Sequence, residues 1–208
     1  MNEVSETTTP KPVATVSHIG VAVAVGVQGF AMTAFTLGIY TSGFIDKKGV
    51  VLVLALAAFY GGLTQFIAGF FALAKGKTFE ATFMTAYGAF WFSYIALKLF
   101  VVPHAGAAAD QALTFYLIMW TVITFLFTIA ALATNKFVFW TFVELTCTFI
   151  VVAIGSAYHL PGVTRAGGGL EMLVGGLAWY IVTAGLVNDT AGKTVISLFP
   201  FKKPVFGT

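Results

Sequence analysis

Six apolar stretches constrain this chain more than anything else in it. Each is near the roughly 20 residues that an α-helix needs to cross the hydrocarbon core of a bilayer. They run from about Ser17 to Phe44, Val50 to Ala74, Ala81 to Val102, Ala112 to Thr134, Phe137 to Tyr158 and Gly168 to Asn188. The polar and helix-stopping residues fall between them: Asp46-Lys47-Lys48, Lys75-Gly76-Lys77, Pro103-His104, Asn135-Lys136 and Pro161-Gly162. Lipid offers no water to backbone N–H and C=O groups, so only helices and closed barrels span it, and stretches this long are not barrel strands. The expectation is an all-α, polytopic membrane protein with six transmembrane helices.

Composition excludes the rivals. Of 208 residues, 59% are hydrophobic and 9% charged, against roughly 25% charged in ordinary soluble domains. So few charges cannot cover the surface of a soluble fold this size. A cytosolic enzyme, a disordered tail protein and a DNA-binding domain are thereby set aside. The net charge of +3 is scattered and makes no nucleic-acid footprint. With one cysteine, Cys147, no intrachain disulfide can form.

Residues 1–16 are polar, carry Pro10 and Pro12, and read as a flexible tail. Glu3 and Glu6, with no basic n-region, argue against a secretory signal. Residues 17–188 form the six-helix domain, and 189–208 a C-terminal tail. With both tails on one side, that side holds Lys11, Lys75, Lys77, Lys136, Lys193, Lys202 and Lys203. The other holds Lys47, Lys48, Lys98 and Arg165. The excess of cations then places both termini in the cytoplasm and the protein in the plasma (inner) membrane.

Catalytic and ligand-binding signatures do not assemble. His18, His104 and His159 lie far apart near span ends, with no metal-ligand spacing. Ala191-Gly192-Lys193-Thr194 resembles the end of a phosphate-binding loop, but Val187 stands where that loop needs glycine. Gly167-Gly168-Gly169 reads as a loop. Asn188-Asp189-Thr190 fits a glycosylation sequon but falls on the predicted cytoplasmic side. No cofactor is implied and no enzyme is indicated.

The spans are instead rich in glycine, among them Gly26, Gly29, Gly61, Gly62, Gly69, Gly175 and Gly176. In lipid, small residues let helix backbones approach closely. Gly26 and Gly29, with Ala22, can form one small face on the first span. Tight packing of six helices leaves little room for a large cofactor, though room for a narrow pore.

Two acidic residues stand out. Glu144 lies within the fifth span, where an ionised carboxylate costs roughly 3 kcal/mol or more. It is either a proton-relay or pore-gating carboxyl, or a neutral, hydrogen-bonded packing residue. Glu171 falls in the first turn of the sixth expected helix, where the positive end of the helix dipole favours an anion and capping accounts for it. No Lys or Arg lies in the middle of a span, so a pore here has no fixed cation and relies on hydroxyls, amides and helix N-termini. That suits a small, weakly held solute.

The stretch Phe59-Tyr60-Gly61-Gly62-Leu63-Thr64-Gln65, with Ala68-Gly69, Lys75-Gly76-Lys77-Thr78-Phe79 and Thr85-Ala86-Tyr87-Gly88-Ala89-Phe90-Trp91, resembles the bacterial succinate–acetate permeases of the acetate uptake transporter family. Gly29-Phe30-Ala31-Met32-Thr33 is similar to that family's first helix, and Asn188, Gly192, Lys193, Thr194 and Val195 to its C-terminal segment. The resemblance covers about Gly26 to Ile196. It implies a homo-hexamer, a central pore in each subunit, and transport of acetate and similar short monocarboxylates, possibly succinate, by a channel or a proton symporter. It also implies a pore constriction of Phe30, Tyr87 and Leu145, the last placed by spacing from Trp120. Physically, Phe30 and Leu145 can form a dry neck, with the Tyr87 hydroxyl offered to a carboxylate crossing it.

The family's Asn-Pro-Ala-Pro signature is absent; Val21, Ala22, Val23 and Ala24 occupy those positions. Ala72 and Gly185 stand where the family has acidic residues, and Glu144 and Glu171 where small or neutral ones are usual. Adjacent helix residues point about 100° apart, so if Leu145 lines the neck, Glu144 faces a neighbouring helix. The expected substrate contacts are Thr33, Gln65 and Thr85, with Glu144 the candidate for proton coupling. A channel for a small neutral solute such as ammonia or urea fits the absence of a central cation equally well. A receptor-like or structural membrane protein is a third possibility.

Overall fold

A computed structural model describes residues 22–201 of the chain. The N-terminal tail of residues 1–16, His18, Val21, Lys202 and Lys203 lie outside the described residues.

Six helices are long and apolar enough to cross a membrane: α1 Ala22–Ser42, α2 Lys48–Ala74, α3 Thr78–Val101, α4 Gly106–Ala131, α5 Lys136–Ala157 and α6 Pro161–Ala191. Their ends follow from local chemistry. The Asp46 carboxylate accepts the Lys48 backbone N–H at 2.9 Å ahead of α2, and the Asn135 side chain accepts the Val138 N–H at 2.9 Å ahead of α5, each relieving a donor that the helix leaves unpaired. Gly76 closes the α2–α3 turn with φ 69°, and Gly192 ends α6 with φ 63°, a region that favours glycine.

Two helices are locally widened. α2 is π-helical over Ala57–Thr64, where the Thr64 hydroxyl donates to the Phe59 carbonyl at 2.9 Å. α3 is π-helical over Leu97–Val101. Such turns shift the side-chain register of everything beyond them and are frequent at functional sites.

The sixth helix differs from the sequence expectation. It starts at Pro161, which occupies its first turn, where a missing N–H costs nothing and the fixed φ suits the helix. Gly167-Gly168-Gly169 therefore lies inside α6 rather than in a loop. Glu171 is not in a first turn, and dipole capping does not account for it. Glycine's low helix propensity misleads here, because close backbone packing replaces what propensity lacks.

The helices close into a ring in chain order. α1 packs between α2 and α6, α2 against α3, α4 against α5, and α5 against α6. α3 and α4 approach less closely and meet through side chains: the Tyr116 hydroxyl donates to the Phe90 carbonyl at 3.0 Å, and the rings of Phe90 and Trp120 lie 5.0 Å apart. The seams around α1 are the tightest. A methyl group on Gly29 would overlap the Tyr60 carbonyl, and one on Gly168 would overlap the Thr41–Ser42 backbone. Gly26 sits against Ala68 and Met84, so Gly26 and Gly29 do share the α1–α2 seam.

Large apolar side chains point outward, such as Phe59 at 70% and Phe115 at 64% exposure, as expected of a surface facing lipid. With six membrane-capable helices, the chain is a multi-pass membrane protein.

Past α6 the chain turns back. Asn188 fastens this return, its oxygen accepting the Val195 and Ile196 N–H groups at 2.7 and 2.9 Å and its amide donating to the Ile196 carbonyl at 2.8 Å. Lys136 and Phe137 donate to the carbonyls of Phe199 and Leu198 at 3.0 and 3.3 Å. The described part of the C-terminal segment is thus tied to the start of α5.

Gly168→Ala should lower thermal stability in detergent by about 1–3 kcal/mol, the usual cost of overpacking. Gly169→Ala, whose Cβ would meet nothing within 4 Å, should stay within about 0.5 kcal/mol of the parent. Equal melting of the two variants would mean the α1–α6 seam is not as close as described.

Candidate functional site

Two cavities lie on the axis of the ring. One, of about 290 Å³, opens on the face that carries the C-terminal segment and is lined by Phe30, Gln65, Tyr87, Asn135, Phe142, Leu145 and Leu198, among others. The other, of about 280 Å³, opens on the face of the α1–α2 loop and is lined by Tyr40, Thr41, Phe90, Tyr94, Lys98, Phe149 and Glu171, among others. They share no lining residue. Between them stand consecutive turns of two helices: Tyr87 and Phe90 on α3, Leu145 and Phe149 on α5.

This boundary is an aromatic and aliphatic neck. The Phe30 and Tyr87 ring centroids are 5.7 Å apart, Tyr87 and Phe142 are 6.3 Å apart and stacked, and Phe90 and Phe149 are 5.6 Å apart. Phe30, Tyr87 and Leu145 are all buried. The structure therefore gathers these three into one wall of one cavity. A neck with so few polar groups is dry, and an ion stripped of water to cross it meets a high electrostatic cost.

The Tyr87 hydroxyl is already engaged, donating to the Thr124 hydroxyl on α4 at 3.0 Å. Thr124 is fully buried. This pair is a polar link at the level of Tyr87 and, with the Tyr116 hydroxyl on the Phe90 carbonyl, fixes α4 against α3, where the backbones approach less closely. A carboxylate at this level would take the tyrosine donor from Thr124.

The three expected substrate contacts separate. Gln65 lines the cavity beside the neck; it is buried, and its carbonyl oxygen has no hydrogen-bond partner among the described residues. A buried, unmatched amide oxygen costs of order 1–3 kcal/mol, which a solute or water in the cavity would relieve. Thr33 is fully buried in the α1–α2 seam, where it faces Gly61 and donates to the Gly29 carbonyl at 2.8 Å. Thr85 faces Gly69 and donates to the Ala81 carbonyl at 2.8 Å. Neither threonine lines a cavity.

Glu144 is half-buried and lines neither cavity. One carboxyl oxygen accepts the Thr148 hydroxyl at 3.0 Å, and the other has no partner among the described residues. It lies within electrostatic reach of Glu171 on α6. That matches the helical argument that Leu145 and Glu144 cannot both face the neck.

The expectation of a ring interior without a fixed cation fails at one end. Lys98 lines the cavity on the α1–α2 loop face. It sits in the π-turn of α3, whose register shift a regular helical projection misses, and its aliphatic stem reaches along apolar surface while the ammonium finds the polar end. Sequence reasoning also missed Thr124, Trp120 and Phe142. Thr124 and Trp120 are four residues apart on α4 and so share a face, a signal that was present but not distinctive in a span crowded with threonines and aromatics.

The sequence profile of the GPR1/FUN34/yaaH family matches residues 5–203. The chain is 34% identical over 188 residues to the ammonia transport outward protein 2 of Saccharomyces cerevisiae, covering 86% of this chain and 65% of that one. It is 31% identical over 176 residues to the succinate-acetate/proton symporter SatP of Escherichia coli K12, covering 83% of this chain and 92% of that one. The chain thus spans just under two thirds of the length of the yeast relatives it matches and nearly all of the bacterial one. A solved structure of the bacterial acetate channel SatP superposes with a TM-score of 0.79 at 30% identity, covering 86% of this chain and 99% of that one.

Tyr87→Phe and Thr124→Val should each cost about 1 kcal/mol of stability in detergent, the net worth of a buried hydrogen bond. The double variant should cost clearly less than the sum, because the two residues share one interaction. Strictly additive losses would mean the Tyr87–Thr124 bond does not close the neck.

Proposed function

The chain belongs to the GPR1/FUN34/yaaH family, and on that premise we propose that it transports acetate and similar short monocarboxylates across the plasma (inner) membrane. The observation that carries this reading is the pair of cavities meeting at a neck of Phe30, Tyr87 and Leu145. Each cavity is large enough for a small solute. Family membership supports the same reading, since relatives are named for acetate and succinate transport.

In this proposal the solute passes from one cavity to the other through the ring. Phe30, Leu145 and Phe142 keep the neck dry, Tyr87 offers its hydroxyl at that level, and Gln65 receives the solute on the C-terminal side. Thr33 and Thr85 act through the helix seams that set the position of Phe30 and Tyr87. Both termini are cytoplasmic, and six subunits associate through their outward apolar faces, each keeping its own pore. The protein acts as a transporter and carries out no covalent chemistry.

The energetics favour a proton partner. Carboxylic acids of this class ionise near pH 4, so the solute at neutral pH is an anion. A membrane potential negative inside opposes its inward movement by about 2.3 kcal/mol per 100 mV. Entry of one proton with each carboxylate removes that opposition.

A second reading, a pathway for ammonia, draws on the yeast relative's name. Labelled acetate uptake into proteoliposomes separates the two. Uptake should saturate, rise with an inward proton gradient, and fall when propionate competes, while urea and ammonia leave it unchanged. Acetate flux no greater than in empty vesicles would reject the carboxylate reading, and competition by ammonia would favour the second.

A further inference from the structure

The cavity on the α1–α2 loop face holds charged groups that the neck does not use. Lys98 on α3 and Glu171 on α6 both line it. The Lys98 ammonium stands 5.4 Å from the centre of the Tyr94 ring, and it has no ion-pair partner among the described residues. One Glu171 oxygen is buried without a hydrogen-bond partner among them. A cation and a carboxyl thus line one open-mouthed cavity without closing on each other.

Both groups are half-buried; Thr41 hydrogen-bonds the Glu171 carboxyl, but a cation and a carboxyl held near each other without direct pairing recover only part of their lost hydration. A solute carboxylate resolves this. Its oxygens accept from the ammonium's three donors. Glu171 then opposes it as a second anion, unless Glu171 carries a proton and donates an O–H instead. We propose that this cavity is a coupled carboxylate-and-proton site, in which Lys98 takes the solute's carboxylate and Glu171 takes the proton that travels with it. The proposal rests on the carboxylate reading above and assigns the coupling within it.

The balance is simple. One proton from the adjoining water adds to the Glu171 carboxylate, forming an O–H bond, while the solute anion docks at Lys98. When the solute leaves for the neck, that O–H bond breaks and the proton passes to the solute's carboxylate. Glu171 is left ionised and Lys98 free. A neutral acid then crosses between Phe30, Tyr87 and Leu145, which avoids the cost of an ion in a dry constriction. Two other titratable groups line the cavity, Tyr94 on α3 and Tyr40 on α1, and Tyr116 and Asp110 on α4 and Glu144 on α5 stand within electrostatic reach of Tyr94, Lys98 and Glu171 respectively. Asp110 is exposed and pairs with His159 at 3.4 Å, so it belongs to the cavity mouth. Glu144 lies behind Glu171, outside the cavity.

Proteoliposome uptake of labelled acetate tests the site. Under an inward proton gradient the wild type accumulates acetate. Glu171→Gln should keep downhill flux and lose accumulation, the inside-to-outside ratio falling to about one, since its amide cannot shuttle a proton. Lys98→Met should raise the half-saturating acetate concentration about tenfold, the scale of one charge-assisted hydrogen bond, and Lys98→Arg should recover most of it. A measurement on the wild type alone guards against misfolded variants: uptake at a fixed proton gradient should not respond to an imposed potassium–valinomycin potential. Wild-type-like accumulation by Glu171→Gln, unchanged half-saturation in Lys98→Met, or potential-driven uptake by the wild type overturns the proposal. So does loss of coupling in Glu144→Gln with normal coupling in Glu171→Gln. Absence of acetate flux in the wild type rejects the carboxylate reading itself, and this site with it.

Discussion

The position of α1 depends on two backbone contacts, and the rest of the ring depends on α1. Gly29 lies against the Tyr60 carbonyl and Gly168 against the turn at Thr41–Ser42. In a bilayer the hydrophobic effect does not press helices together, so close van der Waals approach has to do it. With α1 held this tightly between α2 and α6, Phe30 faces inward at the level of Tyr87. A larger residue at either glycine would push α1 outward and separate the two rings. The π-turn of α2 places Tyr60 and Gly61 at that seam, which is one reason an irregular helix is retained there.

The other side of the ring is closed differently. α3 and α4 stand further apart, and aromatic rings and hydroxyl bonds fill the gap. Tyr87 bonded to Thr124 and Tyr116 bonded to Phe90 make this the polar, adjustable seam, opposite a rigid, glycine-packed one. A neck bordered by one rigid and one adjustable seam can admit a solute by small movements of the second while the first keeps its register. The neck's polarity also divides the work between the cavities. The C-terminal side offers an amide at Gln65, and the opposite side offers Lys98 and Glu171, an asymmetry that the proposed carboxylate-and-proton site would use.

Much of this was legible in the residues. Hydropathy gives six helices, because no other structure hides a backbone in lipid, and the glycines announce close seams. The Phe30–Tyr87–Leu145 grouping is what the family resemblance implies, with Leu145 placed by spacing from Trp120; all three line one cavity, and their role as a constriction is a proposal. What escaped has identifiable causes. Glycine reads as a helix breaker in water, which hid the first turns of α6 and misplaced Glu171 by making it a capping residue. Lys98 lies in the π-turn at Leu97–Val101 and lines a cavity, whereas the sequence counted it only among the cations at a span end. Thr33 and Thr85 looked like solute contacts because threonine is polar, yet in a helix its hydroxyl commonly satisfies the carbonyl one turn back, as both do here.

In the proposed pathway, solute crosses the ring at the neck rather than between subunits or at the lipid boundary. Leu145→Cys in a Cys147→Ser background tests it most directly, because Leu145 is buried in the cavity wall and Cys147 is the exposed native thiol. Treatment with a small methanethiosulfonate reagent should abolish acetate uptake, and saturating acetate should slow the loss. Uptake that persists after complete labelling of Cys at position 145 would place the path elsewhere and contradict the account.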